Sequence, residues 1–160
     1  MKSLSRILYA MVLGLLISCG GGESGNTSSQ ATTEVDNSQS DVPASQRITL
    51  DEKGVGPIQN LILDPEIDPE MVASGAAMFK TNCSACHKTD KRFIGPNPTG
   101  IMKRRSPEWI MNMILEPQLM VEEDQCAKDL LIEFNGAAMA NQNMTEEQAR
   151  DILEYFRTLE

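Results

Sequence analysis

The chain has 160 residues and a formal net charge of −9 at neutral pH, and only 4% of its residues are aromatic. An acidic balance of that size argues against nucleic acid or an anionic lipid surface as a partner, because both would repel it. A folded part of about 90 residues with so few aromatics sits near the lower limit for a self-sufficient core, a shortage that a large buried apolar cofactor would relieve.

Residues 1–18 have the layout of a secretory signal, with Lys2 and Arg6 ahead of the apolar run Ile7 to Ile17. That run is too short to span a bilayer. Leu16, Ile17 and Ser18 lead directly into Cys19, which resembles the bacterial lipobox, where the cysteine is lipidated and becomes the mature N-terminus. The alternative is a plain signal peptide followed by an incidental cysteine. A lipid on Cys19 implies a protein held to the periplasmic side of a bacterial membrane by acyl chains, with no transmembrane helix. Loss of Met1 to Ser18 removes two bases and no acid, taking the net charge from −9 to −11.

Residues 19–47 read as a disordered linker, since Gly20 to Ser45 is Gly, Ser, Thr, Asn, Gln and acids with almost no apolar residues. A flexible tether of about 30 residues has an r.m.s. reach of roughly 30 Å. Most of the acidity lies here: residues 19–70 hold two bases against ten acids. Residues 48–68 differ in composition, with Val55, Ile58, Leu61, Ile62 and Leu63 broken by Gly54, Gly56, Pro57 and Pro65. They are expected to form an extended arm covering apolar domain surface.

The remainder, 69–160, reads as an all-α domain. Asp68 can cap a helix with Pro69 at its first position, running to about Asn82. Next come Cys83, Ser84, Ala85, Cys86 and His87, the pattern for c-type haem attachment, in which two thiols add to the haem vinyls and the adjacent imidazole reaches the iron. A thioredoxin-like motif would need a surrounding βαβ pattern, and a zinc site would need two further ligands. The sequence supplies neither, and His87 is the one histidine in the chain. Lys88, Lys91, Arg92, Lys103, Arg104 and Arg105 cluster in or beside the long loop from Lys88 to Arg105. They are either solvated surface or a local positive patch that steers an acidic redox partner toward the cofactor.

Ser106 and Pro107 open a second helix carrying Trp109, Ile110, Met113 and Ile114, stopped by Pro117. A third is expected from about Glu123 to Phe134, with Asn135 and Gly136 as its stop. Cys126 on it has no partner once Cys19, Cys83 and Cys86 are assigned, and reads as a buried thiol, with an intermolecular disulfide as the alternative. A second long loop, Gly136 to Met144, precedes a last helix opening on Thr145, where Gln148 completes a capping box.

A single histidine excludes a bis-histidine iron, so the sixth ligand is a methionine, another donor or water. Most methionines in the domain sit among apolar residues at helical spacing, where core filling is their ordinary role. Met139 and Met144 lie in the second loop, and Met144 abuts the helix start, where it can act as a hydrophobic staple. The residues leave both open.

Residues 71 to about 160 resemble the monohaem class I cytochromes c, in their lipoprotein form. Gly75 and Phe79 look like the family's first helix, whose small residue lets the C-terminal helix cross closely, and Tyr155 looks like the aromatic facing it. Gly95 and Pro96 match the family's Gly-Pro, whose proline carbonyl takes the proton on the imidazole's second nitrogen. Met139 falls a few residues before Asn143, Met144 and Thr145, which resemble the family's Asn-Leu-Thr, so it is similar to the axial methionine. Ala140 stands where a proline commonly follows that methionine. The resemblance implies a small helical domain wrapped around one covalent haem c, with thioethers at Cys83 and Cys86 and iron between His87 and Met139. It implies an electron carrier, not an enzyme, with no small-molecule substrate. Its partners would be a redox protein donor and acceptor of a respiratory chain, the acceptor being a terminal oxidase or reductase. The rival readings are a haem sensor or ligand-binding module with an exchangeable sixth site, and a docking subunit serving one enzyme.

Overall fold

The computed structural model describes residues 41–160. The signal-like segment 1–18, Cys19 and the linker up to residue 40 lie outside the described residues.

Among the described residues, five α-helices make up the architecture. Helix α1 (Pro69–Met78) starts where Asp68 accepts hydrogen bonds from the backbone N–H of Glu70 and Met71. The expected continuation to Asn82 is interrupted: Phe79–Cys83 form a single π turn, closed by Ser84 N–H donating to the Phe79 carbonyl at 2.9 Å. Helix α2 (Pro107–Leu115) is capped by Ser106. Pro117 ends it as expected, but also opens a short helix α3 (Pro117–Glu123) that periodicity did not reveal. Helix α4 (Gln125–Glu133) begins on Asp124, whose carboxylate accepts from Ala127 N–H and from the Trp109 indole. It ends on Asn135 and Gly136, both with positive φ. The Thr145–Gln148 capping box opens α5 (Glu146–Arg157).

Helices α1 and α5 cross closely enough that a Cβ added at Gly75 would lie 2.0 Å from the Asp151 carbonyl oxygen. Phe79 sits beside that crossing, 5.6 Å from the Tyr155 ring and 5.7 Å from that of Phe156. Helix α2 packs on α5, α3 packs on α2, and α4 packs on α3. The core runs through Trp109, Ile110, Ile114, Met120, Ile152 and Leu153.

The arm covers this core without regular structure. Ile58 is buried, and Val55, Leu61 and Leu63 pack against the core, whereas Ile62 is 95% exposed. Polar side chains pin it as much as apolar ones do. Fully buried Asn112 accepts from Ile58 N–H and donates to the carbonyls of Lys53 and Ile58. Glu108 accepts from Leu61 N–H, and Arg157 donates to the carbonyls of Asp64 and Pro65.

Packing also starts ahead of the boundary at residue 48. Ala44–Gln46 form a 3-10 turn against α4, with Ala44 buried. Ser45 donates through its N–H and hydroxyl to Glu133, and Arg47 pairs with Asp129. Composition misses this because the anchors are hydrogen bonds to distant residues. The one β-bridge among the described residues joins Thr49 to Arg105.

Candidate haem site

The π turn hands the chain to Cys83, and the next residues coil tightly. Cys86 and His87 both donate their N–H to the Cys83 carbonyl, at 3.0 and 2.9 Å. Burial, and then the neighbouring Cys86, push the Cys83 thiol up to about 11. Cys83 and Cys86 are both unpaired thiols.

His87 Nδ1 lies 2.8 Å from the Pro96 carbonyl oxygen. A carbonyl can only accept, so Nδ1 carries the proton and Nε2 keeps its lone pair for a metal. The ring is held from its flank as well: a Cβ at Gly95 would come within 2.5 Å of His87 Cε1. Gly95 N–H in turn donates to the Cys86 carbonyl, tying the Gly-Pro segment to the motif.

These residues open onto one cavity of about 220 Å³, lined by Cys83, Cys86, His87, Pro96 and Met139. It is far larger than a buried water requires. Its remaining walls are mostly apolar, from Phe79, Ile110, Ile114, Leu131 and Phe134 among others. Two thiols, a tautomer-fixed imidazole and a thioether around an apolar space suit a haem. Among the described residues no cluster of three or more His, Cys, Asp or Glu could hold a metal ion, so the zinc alternative lacks its ligands. Met144 packs on the core but does not line the cavity; Met113 of α2 does.

A family model for cytochrome c matches residues 72–160. The chain belongs to the cytochrome c family. Three solved structures are each 40% identical over 65% of this chain. They are a cytochrome c from Rhodothermus marinus (TM-score 0.63, 89% of its chain covered), an engineered form of it, Rma TDE (0.63, 90%), and that form bound to a carbene intermediate (0.60, 89%). No curated relative matches. As a cytochrome c the chain binds covalent haem c with iron, and the family's activity is electron transfer between redox proteins.

The basic cluster of this cytochrome does not hold together as a surface. Arg105 is 3% exposed and donates to the carbonyls of Ala44, Arg47 and Arg104. Arg104 is half-buried against the carbonyls of Asn97 and Thr99. Both line the cavity. They face inward because the turn at Ile101–Lys103 reverses the chain just before α2, which a run of three bases does not disclose. Lys88, Lys91, Arg92 and Lys103 stay at the surface, three of them beside acids: Lys91 with Asp90, Arg92 with Glu133 and Lys103 with Glu160. Cys126 is buried, and burial raises its thiol above the ordinary value. That is the environment of a core thiol, not of an exposed cross-linking one.

Proposed function

We propose that this chain is a membrane-tethered monohaem cytochrome c that passes single electrons between redox proteins of a periplasmic respiratory chain, with a terminal oxidase or reductase as acceptor. Cys83 and Cys86 carry the thioethers, His87 and Met139 take the two axial positions, Pro96 orients the imidazole, and Cys19 bears the lipid. The observation that carries the haem assignment is the single cavity onto which both cysteines, the oriented His87 and Met139 open.

The bound haem supplies a reversible Fe(III)/Fe(II) couple. The protein's part is to hold two axial donors, exclude water from the apolar pocket and present one edge to a partner. Thioether ligation favours Fe(II) and raises the potential, which suits the oxidising end of a chain. The lipid and linker would hold the domain at high local concentration between membrane-bound donor and acceptor. Docking would fall on Lys88, Lys91, Arg92 and Lys103, with Arg104 and Arg105 withdrawn from it.

The test is a redox titration of the purified holoprotein with its spectrum recorded throughout. A one-electron couple with a weak far-red ferric charge-transfer band that disappears in Met139→Ala supports the reading. A band that survives in Met139→Ala removes Met139 as ligand. A ferric spectrum lacking the band, with a sixth site that exchanges freely, favours the sensor reading.

A further inference from the structure

Arg105 is a buried cation without a counter-charge. Its guanidinium donates to three neutral carbonyls, those of Ala44, Arg47 and Arg104, and its Nε has no hydrogen-bond partner. Among the described residues it forms no ion pair. Desolvating such a group without a partner anion costs several kcal/mol. The preceding residue aggravates this, since Arg104 lines the same cavity and its ionisation is pulled down by burial and then by Arg105. These are the two charged residues of the cavity wall, and no carboxylate accompanies them. The cavity is thus apolar with a doubly cationic end, and haem is an apolar macrocycle with two carboxylates on one edge.

Two of the three acceptors that hold Arg105, the carbonyls of Ala44 and Arg47, belong to residues ahead of the region 72–160 matched by the family model. The same short segment contributes Ser45 to the cavity wall. Two further anchors fix it: Ser45 to Glu133, which also binds Arg92 of the loop after the haem motif, and Arg47 to Asp129. Thr49 extends the attachment, donating its N–H to the Arg104 carbonyl at 2.8 Å.

We propose that residues 44–47 are a clasp on the haem pocket, positioning Arg105 as counter-ion to a haem carboxylate, so that docking of this segment sets the reduction potential. With the clasp seated, the carboxylate's charge is balanced in a dry environment, and ferric iron gains little stabilisation from it. With the clasp released, Arg105 loses two of its acceptors, water reaches the haem edge, and Fe(III) is favoured. The potential falls.

The full-length holoprotein carrying Ser45→Pro tests this without altering charge. The substitution removes both Ser45 donors to Glu133 and disfavours the helical backbone of Ala44. The expected result is backbone hydrogen exchange about tenfold faster or more across residues 44–50, together with a lower potential and an unchanged far-red band. Arg105→Gln is expected to lower the potential in the same direction and to release the same segment, and Arg105→Lys to restore part of the potential. Faster exchange in Ser45→Pro at an unaltered potential overturns the proposal, and Ser45→Pro decides it alone should Arg105→Gln yield no holoprotein. Loss of the haem spectrum in the wild type would instead overturn the haem site itself, so the two failures are distinguishable.

Discussion

At the scale of single residues, the haem motif is a problem of orienting one imidazole. Pro96 fixes the tautomer and Gly95 allows the ring to lie flat against the backbone. Gly95→Ala places a methyl inside van der Waals contact with Cε1, Nδ1 and Nε2 of the ring. The ring must shift, and the bond to Pro96 lengthens or breaks. The expected outcome is an altered ferric electron paramagnetic resonance spectrum and a reduced holoprotein yield, with the helices retained by circular dichroism; an unchanged spectrum would show that the ring is not confined there. Pro96 was implied only by the resemblance to the family, whereas Cys83, Cys86 and His87 were legible in the sequence because their chemistry is local, set within five consecutive residues. Arg104 and Arg105 were not, because a run of bases signals solvent unless a distant segment supplies acceptors, as Ala44 and Arg47 do here.

At the scale of elements, the α1–α5 crossing holds the haem motif in place, since α1 leads straight into it. Gly75→Ala must push Asp151 backbone away from a contact of 2.0 Å, and backbone cannot rotate aside as a side chain can. A cost of about 3 kcal/mol is expected, the upper end for forced overpacking, read as a fall of roughly 10 °C or more in melting temperature. Beside the crossing, fully buried Glu154 accepts from Arg150, Arg157 and the N–H of Asp68. Burial alone would raise its carboxyl, but these hydrogen bonds outweigh burial and hold it below the ordinary value of 4.5. A depressed folded-state value means its stabilisation is present above pH 4.5 and lost as the pH falls through the lowered one. Glu154→Gln should therefore cost about 3 kcal/mol at pH 7, with the gap from wild type narrowing in denaturant titrations below about pH 4. Helices α1, α2 and α5 could be read because each opens on a capping residue, Asp68, Ser106 or Thr145, and α4 because of its apolar spacing and the stop at Asn135 and Gly136, while its cap on Asp124 shows only in the structure. Helix α3 has no side-chain cap. Its order comes from Met120, fully buried against Val55 of the arm and so invisible to local pattern.

At the scale of the whole molecule, the proposed docking face sets a locally positive patch on an acidic chain. Lys91, Arg92 and Lys103 are exposed and Lys88 is half-buried over the ring of Phe93, which like Ile94 is about half exposed. Lys88 and Lys91 are the two that flank the haem motif most closely in sequence, and the acid beside Lys91 is 4.0 Å away and itself exposed. Such a pair is held loosely, because water and salt weaken the attraction between its charges, so Lys91 is free to turn toward an incoming anion. The face should therefore attract an anion even though the molecule as a whole repels one. Ferricyanide is a suitable probe, since it needs no protein partner. Oxidation of the ferrous protein by ferricyanide is expected to slow roughly 3- to 10-fold at low ionic strength in Lys88→Glu/Lys91→Glu, with the rates converging in high salt. The variant Asn60→Asp/Gln118→Glu/Lys128→Glu makes the same change in net charge at residues that do not line the haem cavity, and should have a much smaller effect. Equal slowing by both variants would mean that net charge governs the encounter, and that the bases beside the haem are solvated surface.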